Sequence, residues 1–187
     1  MWAGELKHAR VYSTAAFRSI NDPLRDLGRQ QRREPHPLPL TVALLAAAVG
    51  KLRAVGAEEA EANRRMELYR GMRGVEAEAG FLEAGGTELA PMSTTSDLAV
   101  ALRYAAGDSS ASSLLFRIHT RSSMERGADI SFLSAFPAER EFLYPPLLYL
   151  QPTAEVSARA ASGRADEVMT VTVCGRSYRV IEVEPRL

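Results

Sequence analysis

The spacing of apolar and polar positions changes character near residue 66. Upstream it is helical. Residues 15–31 read as helix, with Asn21-Asp22-Pro23 expected as a break or a fresh start in which Asp22 caps and Pro23 takes the first position. Residues 1–14 show no clear period, and Val11-Tyr12 reads as a short strand or turn. Glu34-Pro35-His36-Pro37-Leu38-Pro39 is a proline-rich connection that disfavours helix. Thr41 is then expected to cap a second helix whose apolar face is Leu44, Leu45, Val49 and Leu52. Residues 57–66 form a charged helix or linker.

Downstream the pattern shortens. Glu67 to Met72 predicts a strand ending at Gly71, and residues 73–90 a mixed loop with some helix, closed by Gly85-Gly86. Asp97 to Ala105 has helical spacing, with Leu98, Ala101, Leu102 and Ala105 on one face and Ser96 as cap. Ser109 to Ser113 is a small-residue loop, and Leu114 to His119 a strand. Residues 141–151 read as a further strand, in which Pro145-Pro146 marks an edge, bulge or break. Ala158 to Asp166 reads as a polar loop. A final hairpin pairs Val168–Cys174 with Tyr178–Val183 across Gly175-Arg176-Ser177. Helices first and strands afterwards predict an α+β fold. The boundary falls between a helical region at 1–66 and a β-rich core at 67–187, together one compact domain.

Composition narrows the function classes. The chain has 187 residues, 46% hydrophobic and 25% charged, which suits a globular domain with a sizeable core. Lys plus Arg equal Asp plus Glu at 23 each, so net charge gives no attraction to nucleic acid or an acidic membrane. The basic run Arg29-Gln30-Gln31-Arg32-Arg33 reads as a solvated loop. One cysteine, Cys174, allows no internal disulfide and suits a reducing compartment. The longest apolar run, Val42 to Val49, is interrupted at Gly50-Lys51 and falls short of a membrane span. The start of the chain has no basic-then-apolar signal pattern. His8, His36 and His119 are far apart and share no ligand spacing with Cys174, so no metal is expected. No Gly-x-Gly-x-x-Gly follows a strand, so no Rossmann nucleotide site is expected.

The stretch with candidate chemistry is Phe136-Pro137-Ala138-Glu139-Arg140-Glu141. As the start of a strand, it would put Glu139 and Glu141 on one face and Arg140 on the other. Neighbouring carboxylates repel, so such a pair is either solvated and inert or held in place for chemistry. Two further clusters precede it, Tyr69-Arg70-Gly71 and Ser93-Thr94-Thr95. Alone, Arg70 reads as a surface residue in a salt bridge, Gly71 as a strand-ending glycine, and Ser93 to Thr95 as the approach to a helix cap. Tyr104 reads as a core residue at helical spacing, Phe136 as core and Pro137 as a turn residue.

In this order, each at a predicted strand edge, the three clusters resemble the ADP-ribosyltransferases of the Arg–Ser–Glu branch. That family carries aromatic-Arg-Gly, Ser-Thr-Ser and aromatic-x-x-(Gln or Glu)-x-Glu, and Thr95 is the one departure here. The resemblance spans roughly residues 66–185 as a fold. It implies two short near-perpendicular sheets around an NAD cleft, a helical region before them, and NAD⁺ as co-substrate with no metal. By resemblance, Arg70 grips phosphate with its always-charged fork. Tyr69, Gly71, Ser93, Thr94 and Thr95 would complete the cofactor site, Gly71 through its backbone, and the flat ring of Tyr104 adds a residue able to stack on the cofactor. Glu141 would stabilise charge developing on the ribose. Glu139 and Phe136 would recognise the acceptor. In the family Glu at the position of Glu139 goes with arginine acceptors and Gln with asparagine or cysteine. Arg70 also separates this chain from the poly-ADP-ribose branch, which has His at that position.

The implied function is arginine-specific mono-ADP-ribosylation of a target protein with an exposed arginine. An NAD⁺ glycohydrolase, a non-catalytic binding module on the same fold and a toxin-like effector stand as alternatives. The lone Cys174 favours a cytoplasmic enzyme, or a domain of a longer protein, over disulfide-stabilised cell-surface relatives. Neither the target nor the oligomeric state is legible.

Overall fold

The computed structural model describes residues 3–58, 63–106, 113–163 and 169–187. The expected loop at 109–112, the middle of the charged segment (59–62), the end of the polar loop (164–166) and Val168 lie outside them.

Helices α1 (Ala3–Tyr12), α2 (Phe17–Arg25), α3 (Leu27–Gln31) and α4 (Pro39–Gly56) precede the first strand. The helical α1 corrects the expectation of a strand or turn at Val11-Tyr12. Its buried positions are Glu5, Ala9 and Tyr12, a charged, a small and a polar-tipped residue, so no apolar period is visible. Glu5 is buried because Lys51 Nζ of α4 reaches its Oε1 at 2.7 Å. Pro23 does not open a new helix but lies inside α2, where its fixed φ is already helical. The fresh start comes at α3, where Asp26 Oδ1 accepts the Arg29 N–H at 2.9 Å. Helix α4 begins at Pro39, not after Thr41, since proline at the first position needs no N–H partner. At 18 residues α4 is long and apolar enough, by length and composition, to cross a membrane, which corrects the expectation that no segment is. Leu45, Ala48 and Val49 face the core.

The rest comprises β1 (Met66–Arg73), α5 (Ala79–Ala84), β2 (Gly86–Glu88), β3 (Met92–Thr95), α6 (Leu98–Ala105), β4 (Ser113–Thr120), β5 (Ala128–Asp129), β6 (Glu141–Tyr144), β7 (Leu148–Pro152), α7 (Ala154–Ala161), β8 (Thr170–Val173) and β9 (Arg176–Arg186). Strand β1 runs through Gly71 instead of stopping there, because Arg70 to Arg73 stay paired with β4. Residues 141–151 are two strands, parted at Pro145-Pro146 with Leu147 at φ +66°. The start of the expected polar loop is helix α7. The last hairpin turns at Cys174-Gly175, not at 175–177: both have positive φ (50° and 74°), as a two-residue turn requires. Asp97, not Ser96, caps α6, accepting the Ala99 N–H at 2.8 Å.

The strands run β2-β7-β9-β4-β1-β3-β6-β5, with β8 on the flank of β9. Among the described residues only one pair, Tyr69↔Thr95, joins β1 to β3. The ladder therefore divides there into two groups of strands, and among the described residues the β3-side edge of residues 70–73 has no strand partner. The larger core (Leu68, Phe116, Ile118, Leu148, Ile181) underlies the first group and takes in Met92 and Tyr144 of the second. A second core joins Ala9, Tyr12, Ile20, Leu45 and Val49 of the N-terminal helices to Ala128, Ile130 and Leu143 beside the second group.

Candidate active site

A cleft of about 300 Å³ opens where the two strand groups part. Tyr69, Arg70, Gly71, Ser93, Thr94, Thr95, Tyr104, Phe136, Glu139 and Glu141 all line it. The three clusters thus meet at one place although nearly seventy residues separate the first from the last.

Glu141 opens β6 directly opposite Thr95. It is 8% exposed. Its Oε1 accepts the Ser93 hydroxyl at 2.6 Å and its Oε2 the Ser134 hydroxyl at 2.9 Å. Burial pushes its carboxyl pKa up, the two hydroxyl hydrogen bonds pull it back, and the charge of Glu139 adds to the rise. Both oxygens are therefore fixed while the group keeps a reason to seek a cation.

Arg70 donates from Nη1 to the Ser93 carbonyl at 2.8 Å. Among the described residues it has no ion-pair partner. Burial lowers its pKa, against the favourable charges of Tyr12 and Glu88, yet a guanidinium stays charged. Glu88 is engaged elsewhere, by Arg25 at 3.0 and 2.9 Å. A partly buried cation without a counter-ion fits an anionic ligand such as a phosphate.

Glu139 is not in a strand. It ends a 3₁₀ turn, Pro137–Glu139, and Arg140 is left-handed (φ 47°, ψ 58°) before β6 begins. This corrects the expected i, i+2 strand geometry: Pro137 pre-sets helical φ, and Glu139 has no cross-strand partner. The left-handed residue turns both carboxylates into the same cleft. Tyr104 donates to Glu139 at 3.0 Å (Oε2) and 3.2 Å (Oε1).

Thr95 turns its hydroxyl to the backbone. It donates to the Glu139 carbonyl at 2.5 Å and accepts the Asp97 N–H at 3.0 Å. Thr94 points the other way and donates to the Phe142 carbonyl at 2.9 Å. Tyr69 sends its hydroxyl to Glu67 at 2.7 Å. Phe136, 54% exposed, stands at the mouth. Gly71 has a packing reason that its sequence did not disclose. A Cβ there would lie 1.8 Å from the Ala101 carbonyl oxygen, because α6 sits directly on β1.

Several cleft residues escaped the sequence reading. Tyr12, Ser13, Thr14, Phe17 and Asn21 come from the α1–α2 corner. Tyr12 donates to the Pro91 carbonyl at 2.7 Å, and Asn21 Nδ2 donates to Tyr12 at 2.9 Å. Asn21 is 1% exposed and its Oδ1 is buried without a partner. Ser134 was missed as well. Its only signal was a hydroxyl in an otherwise apolar run upstream of Phe136. Among the described residues no group of His, Cys, Asp and Glu is arranged to hold a metal.

No protein-family model and no curated protein matches this sequence. Solved structures do. The Vis toxin of Vibrio splendidus, in complex with agmatine, superposes with TM-score 0.64 at 19% identity, over 100% of this chain and 75% of that one. The chain has the ADP-ribosyltransferase fold. Plx2a, an ADP-ribosyltransferase toxin from Paenibacillus larvae, matches with TM-score 0.67 at 15% identity over 100% and 88% of the two chains. Exoenzyme S of Pseudomonas aeruginosa, bound to human 14-3-3 protein beta and Carba-NAD, matches with TM-score 0.56 at 16% identity over 95% and 72%. The parting of the strand groups holds both Arg70, which has no ion-pair partner among the described residues, and two carboxylates.

Proposed function

We propose that the protein is a mono-ADP-ribosyltransferase that takes NAD⁺ as co-substrate. It transfers ADP-ribose to the guanidino group of an arginine on a target protein and releases nicotinamide. One observation carries the reading: Glu141 is buried, braced on both oxygens by Ser93 and Ser134, and shares its cleft with the unpaired Arg70. Breaking the bond to nicotinamide develops positive charge on the ribose. A carboxylate already fixed at that point stabilises charge that exists only in the transition state. Arg70 and the open Oδ1 of Asn21 suit the phosphates and hydroxyls of a dinucleotide. The unpaired edge of β1 at residues 70–73 offers backbone groups for an amide.

Glu139 supports the arginine acceptor. A carboxylate at the rim pairs with a guanidinium and takes its proton as the nitrogen attacks. Agmatine, found with the Vis toxin, carries the same group.

The test is nicotinamide release from NAD⁺ with and without agmatine. Glu141→Gln is expected to lose both hydrolysis and transfer by about a hundredfold or more. Glu139→Gln is expected to keep hydrolysis and lose transfer. A folded wild type that releases no nicotinamide overturns the reading. Release without any ADP-ribosyl-agmatine leaves a glycohydrolase.

A further inference from the structure

The carboxylate of Glu139 does not swing freely at the rim. The Tyr104 hydroxyl lies 3.0 Å from Oε2 and 3.2 Å from Oε1, bridging both oxygens from a position 35 residues away in sequence. Thr95 holds the carbonyl of the same residue at 2.5 Å. Glu139 is thus tied at its backbone and at its side chain. Tyr104 is itself well anchored. It stands in the last turn of α6, and that helix rests on Gly71 so closely that no Cβ fits between them. Tyr104 is 53% exposed, so its phenol and Phe136 together border the acceptor side of the cleft.

We infer that Tyr104 is a positioning residue for the acceptor: it aims the Glu139 carboxylate so that a guanidinium, not water, receives ADP-ribose. The inference rests on Glu139 being the acceptor carboxylate, as proposed above. A carboxylate has about four lone-pair sites, and a bridging phenol leaves the outer ones open to a planar two-pronged donor. Carboxylate orientation matters to guanidinium because both N–H bonds must align at once. A water molecule makes no such demand.

In the step itself a guanidinium nitrogen forms a bond to the ribose C1 as the C1–nicotinamide bond breaks. Nicotinamide leaves with that bonding pair, and the proton lost by the attacking nitrogen passes to Glu139 and then to solvent. Water attacking the same carbon yields free ADP-ribose. Glu141 serves both routes, whereas Tyr104 and Glu139 bear on the first. Burial and the adjacent carboxylates push the Tyr104 phenol up to about 12, so it remains a donor in neutral solution.

The test compares Tyr104→Phe with wild type, reading ADP-ribosyl-agmatine and free ADP-ribose from the same reaction. Phenylalanine keeps the ring and removes only the hydroxyl. The transfer-to-hydrolysis ratio is expected to fall about tenfold, through a higher KM for agmatine. In a Glu139→Gln background the same substitution is expected to change the ratio of the residual transfer to hydrolysis no further, because the phenol acts through that carboxylate. A wild-type ratio in Tyr104→Phe overturns the inference and leaves the transferase reading standing. So does an equal loss of transfer and hydrolysis, or an effect that adds to that of Glu139→Gln. An inert wild type overturns the transferase reading and this inference together.

Discussion

A carboxylate that is 8% exposed, as Glu141 is, prefers to keep its proton, and the hydroxyls of Ser93 and Ser134 work against that preference. Catalysis needs the anion, so the acid limb of NAD⁺ cleavage is expected above the ordinary carboxylate value of 4.5. Ser134→Ala removes a hydrogen bond that favours the anion and is expected to move that limb to higher pH in a pH–rate profile. Stability has the opposite sense. The native state holds a proton between the unfolded and folded pKa values where the unfolded chain does not, so stability falls as pH rises through that window. Glu141→Gln is accordingly expected to raise the urea midpoint at pH 7 while abolishing activity. Gly71→Ala is a test of a different kind. Its Cβ would meet the Ala101 carbonyl at 1.8 Å, and the overlap is expected to cost about 3 kcal/mol by urea denaturation. Arg70, Ser93, Glu139 and Glu141 were singled out by the resemblance of three ordered motifs, and the structure brings all four to one cleft. Ser134 was not legible, because nothing in its neighbourhood along the chain says which carboxylate it meets.

The elements that shape the cleft come from both ends of this legibility scale. Strands at β1, β3 and β6 were foreseen, but β1 runs past Gly71 and β6 starts only at Glu141 and stops before Pro145-Pro146. Helix α1 was not, because it buries Glu5, Ala9 and Tyr12 in place of an apolar stripe. Yet α1 and α2 close one side of the cleft. Tyr12 binds the Pro91 carbonyl, Asn21 binds Tyr12, and the Ala135 N–H donates to Ser13 Oγ at 2.8 Å. Tyr12→Phe leaves the Pro91 carbonyl without its hydroxyl donor and Asn21 with a lost acceptor, and is expected to cost about 1–3 kcal/mol in a urea titration.

For the molecule as a whole, the sheet order forces the site. Strands β4 and β9 are parallel, so the chain must cross from Thr120 to Arg176 before they can pair. That crossover contains Ser134, Glu139 and Glu141. On the face that carries Tyr69, Arg117 joins Glu67 at 2.6 Å and Glu182 at 3.1 Å, so β1, β4 and β9 are also tied by charge. We propose that the helical region and the β-rich part unfold as one unit, because Leu45 and Val49 share a core with Ala128 and Leu143. Leu45→Ala is expected to cost about 2–5 kcal/mol. Hydrogen exchange should then speed up at Leu143 as much as in α4, and an effect confined to the helices would separate the two regions.

By itself the sequence determined that a helical region precedes the strands, the three motif segments and the residue types they bring. Period, turn chemistry and motif spacing act over a few residues and survive without any knowledge of the fold. Only the tertiary structure decided which groups touch: Ser93 and Ser134 on Glu141, Tyr104 on Glu139, Asn21 in the cleft wall, α6 on Gly71. It also decided that Glu139 reaches the site through a 3₁₀ turn and a left-handed Arg140, not along a strand. Most of those contacts join residues tens of positions apart. They depend on how sheet and helices close around the cleft, and local patterning holds no record of that closure.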